Sequence, residues 1–437
     1  MNRAGSAFSE RVEPSAVSRW QRDRLSRLLL TIYGRNRFYT RKFDAASVKP
    51  SELTFPDDLT RLPLTRKDEL CADQAAHPPW GTALTDPERF TRYSQTSSTT
   101  GRPLRWCDTG ASWQWVVDCW KEVYSAAHVV PADRVFFPFS FGPFLGFWAG
   151  FDAGCQLGLH CIPAGGMSSL VRLAMIEATS PTILCCTPTY ALRLAEVARA
   201  EQPARSLPDS SVRLVIVAGE PGGSIPETRR RIEEQWGARV IDHYGLTEVG
   251  PVAFECWESP GFIHVNEREF IAEILNPDTG MPVPAGHSGE LVLTNLGRDD
   301  CPVIRYRTGD IVEASSSPCP CGRPWLRLKG GVLTRADDMV NVKGVNVYPA
   351  SIESVLGRFP EIVEFQSRVS SAGAMRSLSV DIEPLPGIAP EPVARAVSDR
   401  LREALGLAVQ VRVADIGTLP RYEMKARRFV IEHASRE

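Results

Sequence analysis

A run of hydroxyl-bearing residues near position 100 is the first part of the sequence whose composition suggests chemistry. Residues 96–103 read Thr-Ser-Ser-Thr-Thr-Gly-Arg-Pro, so hydroxyl side chains directly precede a glycine and an arginine. Hydroxyls and turn N–H groups can bind the oxygens of a phosphate chain, and glycine lets the backbone approach the phosphate closely. The segment is not a Walker P-loop, because the Gly-x-x-x-x-Gly-Lys-Ser/Thr pattern is absent. A solvent-exposed loop is the alternative interpretation.

Two further segments carry carboxylates that suit a nucleotide and its metal ion. Residues 242–248 read Asp-His-Tyr-Gly-Leu-Thr-Glu, and Glu248 is a predicted Mg²⁺ ligand because Mg²⁺ prefers carboxylate oxygen shared with substrate phosphates. Residues 305–310 read Arg-Tyr-Arg-Thr-Gly-Asp. Their final residue, Asp310, could accept hydrogen bonds from ribose hydroxyls, although a plain turn aspartate is the simpler interpretation. Taken in this order, with Lys343 and Lys425 downstream, the segments predict a site for ATP and a carboxylic acid.

The elements that must position these segments follow an α/β pattern. Strand-like and helix-like runs alternate between about residues 130 and 245, which predicts a parallel sheet with covering helices. The predicted strands are residues 134–139, 182–186 and 213–217, and the predicted helices are residues 168–178, 190–198 and 225–236. Open α/β sheets bind ligands at the carboxyl ends of their strands, so Gly219, Glu220 and Pro221 are expected near the site. Residues 262–330 predict a small β module, and residues 352–359 and 392–404 predict helices of a final α+β unit.

Length and charge restrict the class of protein. A chain of 437 residues is too long for one typical hydrophobic core, so at least two domains are expected. A formal net charge of -2 gives no overall attraction to nucleic acid or to an anionic membrane. No apolar run approaches the roughly 20 residues of a transmembrane helix, and the polar N-terminus lacks the apolar stretch of a secretory signal. We therefore expect a cytoplasmic protein without nucleic-acid or membrane partners.

Three cysteines and a histidine form a predicted metal site. Thiolate and imidazole ligands suit tetrahedral Zn²⁺, and four protein ligands would close the site as a structural one. The predicted ligands are Cys256, His264, Cys319 and Cys321, with Cys301 as a substitute and free thiols as the alternative. Four other cysteines lie in apolar runs and are expected to pack as small hydrophobic residues, namely Cys155, Cys161, Cys185 and Cys186.

The ordered segments give the whole chain a resemblance to the adenylate-forming superfamily. Residues 96–103 resemble its phosphate-loop pattern, Thr-Ser-Gly-Thr-Thr-Gly-Lys/Arg-Pro. The other segments that resemble superfamily motifs are residues 242–250, 305–310, 335–349 and 419–425. Residues 187–196 and 344–349 are similar to the phenylacetate–CoA ligase branch in particular.

The resemblance implies two half-reactions and two domains. A carboxylate attacks the α-phosphate of ATP–Mg²⁺, which gives an acyl-adenylate and pyrophosphate, and a thiol, usually that of coenzyme A, then attacks the adenylate. The implied fold is α/β, with a large N-terminal domain (residues 1–335) of packed mixed sheets, helices and a small β module. A smaller, mobile α+β C-terminal domain (residues 336–437) would be hinged at Asp337. A homodimer is also implied.

The resemblance also implies roles for individual residues. Those that would hold the triphosphate are Thr96, Ser97, Ser98, Thr99, Thr100 and Gly101, with Arg102 adding positive charge. Those that would contact the nucleoside and α-phosphate are Gly219, Glu220, Pro221, Asp242, His243, Tyr244, Gly245, Thr247, Asp310 and Arg335. Glu248 would bind Mg²⁺, Lys425 would bridge the substrate carboxylate and the α-phosphate, and Lys343 would face the site during thiolation. Ser98 and Met424 replace glycines of the family pattern, so we expect reduced but not abolished turnover.

The resemblance implies that part of an aromatic-rich stretch lines the acid pocket. Residues 136–148 are dense in phenylalanine and glycine, and a buried apolar layer is the alternative interpretation for most of them. The substrate-pocket candidates are Phe141, Ala218, His243, Tyr244 and Gly245. Aromatic walls favour a flat acid by stacking, so the expected activity is that of an aryl-acid:CoA ligase. The alternatives are aryl-acid adenylation for a separate carrier protein and a non-catalytic nucleotide-binding protein.

Overall fold

The computed structural model describes residues 14–96, 103–201, 206–336, 340–342, 345–372, 375–422 and 428–432. The helices are α1 (Pro14–Ile32), α2 (Arg37–Ala45), α3 (Lys67–Ala76), α4 (Gly110–Ala126), α5 (Leu145–Gln156), α6 (Ser169–Thr179), α7 (Pro188–Glu201), α8 (Pro226–Trp236), α9 (Pro349–Leu356) and α10 (Pro390–Leu405). Short 3₁₀ helices span Pro50–Glu52, Leu59–Arg61, Pro87–Arg89 and Leu207–Asp209.

The strands of the large part are β1 (Phe90–Gln95), β2 (Arg105–Thr109), β3 (Arg134–Phe137), β4 (His160–Pro163), β5 (Ile183–Cys186), β6 (Leu214–Ala218), β7 (Arg239–Leu246), β8 (Gly250–Cys256), β9 (Ser259–Val265), β10 (Phe270–Leu275), β11 (Ser288–Asn295), β12 (Tyr306–Glu313), β13 (Arg327–Lys329) and β14 (Thr334–Arg335). Those of the smaller part are β15 (Val340–Val342), β16 (Val345–Val347), β17 (Ile362–Ala372), β18 (Met375–Pro384), β19 (Gln410–Val413) and β20 (Phe429–Glu432).

An eight-stranded sheet forms the centre of the large part, in the order β13-β9-β8-β7-β6-β5-β3-β4. The strands from β4 to β7 pair in parallel, whereas β8, β9 and β13 are added antiparallel. The predicted parallel strands and helices α6, α7 and α8 are confirmed, with ends shifted by a few residues. The ends of helix α8 are well defined because Pro226 occupies its first turn and Gly237, with φ of 59°, ends it.

Both faces of the central sheet are buried, since successive side chains of a strand point to opposite faces. Phe137, Ile216 and Ile241 pack in one cluster with Trp120 of α4. Their neighbours along the strands, such as Phe136 and Val217, pack in a second cluster against α6, α7 and α8. The parallel strands that lead to the site are therefore packed on both faces of the sheet.

A second sheet, β10-β11-β12-β14, is antiparallel. The predicted β module over residues 262–330 is correct only in part, because β9 and β13 pair with each other and belong to the large sheet. Strands β1 and β2 form an antiparallel hairpin, and the hydroxyl-rich segment connects them. The second sheet brings Asp310 and Arg335 together, because these residues pair across β12 and β14.

The smaller part is an α+β unit with its own core. Its sheet has the order β19-β18-β17-β20, and helices α9 and α10 confirm the two predicted helices. One hydrophobic cluster, which includes Val340, Ile352, Val380 and Leu401, is built from this unit alone. Among the helices of the described residues, none combines the length and apolar character that crossing a bilayer requires.

Candidate active site

A cleft of about 1490 Å³ lies between the large and small parts, where β6 and β7 end. Its lining includes many of the predicted site residues, namely Thr96, Glu220, Pro221, Gly245, Thr247, Glu248 and Arg335. The small part contributes Glu353 and Arg428 among others. The structure thus brings segments from distant parts of the sequence to one cleft.

Tyr244, Asp310 and Arg335 form a connected polar group at this cleft. The Tyr244 hydroxyl donates a hydrogen bond of 2.6 Å to Oδ2 of Asp310, and Nη1 of Arg335 donates to Oδ1 at 3.3 Å. Burial and the neighbouring Asp310 raise the pKa of Tyr244 well above its usual value, so the phenol stays protonated and acts as the donor. The group offers an aromatic surface beside a carboxylate, which suits a base and its ribose.

Glu248 is held by a residue that the sequence interpretation missed. The Tyr306 hydroxyl donates to Oε1 of Glu248 at 2.5 Å, and both side chains are buried. Burial, followed by the charge of Glu248, raises the pKa of Tyr306 well above its usual value. Tyr306 lies in the quoted segment 305–310, but nothing in that segment shows that its partner would be Glu248.

A second missed pair lies behind Thr247. Arg298 donates to the backbone carbonyl of Thr247 at 2.9 Å and makes two hydrogen bonds to the carboxylate of Asp108, at 2.9 and 2.6 Å. The Arg298 side chain is 0% exposed, and that of Asp108 is 1% exposed. Arg298 lies in the polar stretch at residues 295–300, and nothing in the sequence identifies Asp108 as its partner.

The residues after β6 form the opposite wall of the cleft. Gly219 has φ of 93°, a conformation that favours glycine, and it turns the chain toward Glu220. One carboxylate oxygen of Glu220 accepts a hydrogen bond of 2.9 Å from the Thr189 backbone N–H, at the start of α7. Asp242 accepts a hydrogen bond of 2.5 Å from Ser224, and burial raises its pKa to about 7. Asp242 therefore orders the loop after β6.

His243 and Ala218 lie on the other side of the central sheet from Asp242. They pair across β6 and β7, and the His243 ring lies 4.4 Å from the Trp120 ring. Nδ1 of His243 is 2.8 Å from the Ala253 carbonyl oxygen, and burial lowers the pKa of His243 to about 4. At neutral pH the imidazole is uncharged, with the proton on Nδ1 and an acceptor at Nε2.

Phe141 belongs to a group of aromatic rings whose other members lie on β3 and α5. Its ring lies 4.7 Å from Trp148, 5.5 Å from Phe151 and 6.1 Å from Phe137. Ala218 and Phe141 pack against the same apolar cluster. The aromatic-rich stretch is therefore partly core, as the alternative interpretation held, and partly half-buried.

Several predicted site residues lie outside the described part of the chain, namely Ser97, Ser98, Thr99, Thr100, Gly101, Arg102, Asp337, Lys343, Met424 and Lys425. The start of the hydroxyl-rich segment is described. The Thr96 N–H donates to the Leu104 carbonyl at 3.0 Å, and the Leu104 N–H donates to the Thr96 hydroxyl at 3.1 Å. These bonds close the base of the segment at the cleft.

The four predicted metal ligands meet away from this cleft. One ligand atom from each of Cys256, His264, Cys319 and Cys321 lies within 4.8 Å of the others. Cys301 is not a substitute ligand, because its thiol lies 3.4 Å from Asp108 in the core. Cys155 also departs from expectation, since it is exposed rather than packed in the interior.

Comparison with known proteins identifies the family. The AMP-binding enzyme family matches residues 47–297, and the C-terminal domain of AMP-binding enzymes matches residues 344–432. The chain is 33% identical to a phenylacetate-coenzyme A ligase of Thermus thermophilus over 83% of this chain and 80% of that protein. It is 31% identical to the phenylacetate-coenzyme A ligase of Escherichia coli over 95% of both.

Solved structures agree with the family match. A 2-hydroxyisobutyryl-CoA ligase in the postadenylation state, bound to an acyl-AMP, has a TM-score of 0.92 and 27% identity, covering 99% of this chain and 94% of that one. The same ligase in the thioesterification state, with AMP ester and CoA, has a TM-score of 0.73, covering 97% and 91%. The chain is thus more similar to the postadenylation structure of that ligase than to its thioesterification structure. The chain belongs to the AMP-binding enzyme family and is an AMP-forming acid–CoA ligase.

Proposed function

We propose that the acid is a planar aromatic carboxylic acid such as phenylacetate, activated by ATP and then transferred to coenzyme A. The observation that carries the proposal is the group of aromatic rings around Phe141, which packs against the same apolar cluster as Ala218. Edge-to-face aromatic contacts favour a flat ring over a small aliphatic group. The identity to two phenylacetate-coenzyme A ligases supports the same class of substrate.

His243 would adjust the choice among aromatic acids. Its Nδ1 is engaged by Ala253, so only Nε2 remains to accept a hydrogen bond from a hydroxyl or amino substituent. A buried neutral imidazole favours such a neutral donor over a second carboxylate. The replacement His243→Ala should change the preference between benzoate and its hydroxy or amino derivatives, and unchanged selectivity would reject the role.

We assign the proposed nucleotide contacts to the polar side chains of the cleft. Asp310, already bonded to Tyr244 and Arg335, would accept hydrogen bonds from the ribose, and Tyr244 would lie against the adenine. Glu248 would bind Mg²⁺, since a buried carboxylate at a phosphate site suits this ion. Lys425 would then neutralise charge at the reacting carboxylate and α-phosphate, and Lys343 would serve the thiolation step.

Acid-dependent ATP–pyrophosphate exchange tests the proposal directly. The panel is phenylacetate, benzoate, 2-aminobenzoate and, as the aliphatic control, 2-hydroxyisobutyrate. Phenylacetate or a benzoate should give the highest kcat/KM, and a preference for the aliphatic acid would reject the aromatic pocket. Adding CoA or a phosphopantetheinylated carrier protein then tests the thiol, and transfer to the carrier alone would reject coenzyme A.

We also propose that Cys256, His264, Cys319 and Cys321 hold a structural zinc ion. Sγ of Cys319 is 3.5 Å from Sγ of Cys256, and Sγ of Cys321 is 3.5 Å from Nε2 of His264. Such separations suit ligands about 2.0–2.3 Å from one tetrahedral ion. The ion would join the loop at residues 319–321 to β8 and β9.

Metal analysis of the purified enzyme should find about one zinc per chain. The variant Cys321→Ser should lower both the zinc content and the unfolding temperature. The matched control is Cys155→Ser, which removes an exposed thiol away from the cluster. A metal-free protein in chelator-free buffer would refute this site without bearing on the ligase proposal.

A further inference from the structure

Arg298 is a buried arginine whose charge is not needed for packing. It follows β11, and its side chain is 0% exposed. Nε and Nη2 donate to the two oxygens of Asp108, at 2.9 and 2.6 Å, and Nη1 donates to the Thr247 carbonyl at 2.9 Å. Burying such a pair costs desolvation energy that is offset only when the remaining donors are also satisfied. An apolar side chain would fill the space at lower cost, so the polar contacts themselves need a reason.

The partners of Arg298 connect two segments of the cleft. Asp108 lies on β2, the strand that follows the hydroxyl-rich segment, and the base of that segment is closed by the hydrogen bonds between Thr96 and Leu104. Thr247 directly precedes Glu248. One guanidinium therefore links the hairpin that carries the hydroxyl-rich segment to the turn that carries Glu248. The planar fork of arginine suits this geometry, and a lysine ammonium cannot reproduce it.

The surroundings leave Arg298 little freedom. A Cβ at Gly297 would lie 2.2 Å from two atoms of the Trp115 ring, so the backbone passes close against that tryptophan. The guanidinium carbon lies 5.8 Å from the centroid of the Trp106 ring. The contacts to Asp108 and Thr247 are thus made from a fixed backbone and a confined side chain.

We propose that Arg298 is a positioning residue for adenylate formation. It holds the Thr247 carbonyl and the Asp108 strand so that Glu248 and Thr96, which both line the cleft, keep a fixed separation. This inference rests on the proposed roles of Thr247 and Glu248. Pyrophosphate has left before the thiol attacks, so thiolation does not depend on that separation. Loss of Arg298 should therefore impair the first half-reaction selectively.

The test compares the two half-reactions of the full-length enzyme. Arg298→Lys keeps the charge but loses the fork, and its phenylacetate-dependent ATP–pyrophosphate exchange should fall about 10- to 100-fold, as for other residues that orient a metal ligand. The Mg²⁺ concentration for half-maximal exchange should rise. Thioester formation from phenylacetyl-AMP and CoA, measured separately, should keep the wild-type rate.

Arg213→Lys is the matched control. Arg213 donates to both oxygens of Asp133 and to the His128 carbonyl, the same pattern of contacts, but it lies at the opposite ends of the parallel strands. Its exchange rate and Mg²⁺ dependence should equal those of the wild type. Thermal unfolding of each variant shows that the folded protein is being compared.

The outcomes separate a failure of this inference from a failure of the proposed function. Equal losses in both half-reactions, or unchanged exchange in a folded Arg298→Lys variant, would overturn the inference. If Arg298→Lys does not fold, Asp108→Asn provides the same comparison, because it removes the carboxylate charge and keeps the side-chain size. A wild-type enzyme without exchange on any acid in the panel would contradict the proposed function rather than the role of Arg298.

Discussion

Replacing Tyr306 with phenylalanine should show whether Glu248 needs its buried partner. The two side chains are 1% and 4% exposed, and their oxygens are 2.5 Å apart. A hydrogen bond to a charged group contributes about 1.5–3 kcal/mol, and about 1.4 kcal/mol corresponds to a ten-fold change in rate or affinity. If the bond orients Glu248 toward Mg²⁺, Tyr306→Phe should slow ATP–pyrophosphate exchange by about 10- to 150-fold at subsaturating Mg²⁺. Saturating Mg²⁺ should restore part of the rate.

The assay is exchange with phenylacetate over a range of Mg²⁺ concentrations, with denaturant unfolding in parallel. Tyr124→Phe is the control, because the equally buried Tyr124 hydroxyl donates to the neutral carbonyl of Gly150 at 2.8 Å. That change should cost about 1 kcal/mol of stability and leave the Mg²⁺ dependence unaltered. An unchanged or lower Mg²⁺ requirement in Tyr306→Phe would refute the reasoning, since it would show that Glu248 needs no orienting donor.

Three further predictions concern stability and the contact between the two parts. Gly297→Ala should lower the free energy of unfolding by about 1–3 kcal/mol in a urea titration, because its Cβ would overlap the Trp115 ring; an unchanged midpoint would contradict this. Arg358→Glu or Glu227→Arg breaks an ion pair between the two parts, so each should favour the thiolation arrangement by less than about 1 kcal/mol, measured as the ratio of the two half-reaction rates. The double variant, which exchanges the two charges, should restore the wild-type ratio. Burial raises the pKa of Glu353 to about 7, so stability should fall as pH rises from the ordinary carboxyl range through about 7. Asp242 contributes a fall of the same sign, so Glu353→Gln should weaken that dependence in unfolding titrations without abolishing it.

The fold was predictable where the sequence pattern is local. Alternating strand and helix signals predicted β5, β6, α6 and α8 because each depends on its own periodicity. The membership of β13 in the large sheet was not predictable in this way. Its pairing with β9 joins residues far apart in the sequence, and both strands have the same local pattern as those of the second sheet.

The residues of the candidate site were also predictable only where they lie in a local motif. Glu248 and Asp310 could be chosen because a motif contains them. Arg298 could not, since its partner Asp108 is 190 residues away and neither residue lies in a motif. Buried ion pairs are specified by three-dimensional complementarity, and the polar sequence around Arg298 gives no sign that its side chain is buried.

The structure also explains how one site can serve two half-reactions. The small part keeps its own hydrophobic core, so turning it relative to the large part exposes little of that core. Arg358, in the turn after α9, forms an ion pair of 3.1 Å with Glu227 of α8. Their side chains are 60% and 18% exposed, and surface pairs of this kind contribute about 0–1 kcal/mol. A strong contact would hold the postadenylation arrangement and delay thiolation. A weak contact lets the small part turn, so that Lys425 and Lys343 can serve the site one after the other in their proposed roles. We therefore expect that strengthening this interface slows thioester formation more than adenylation.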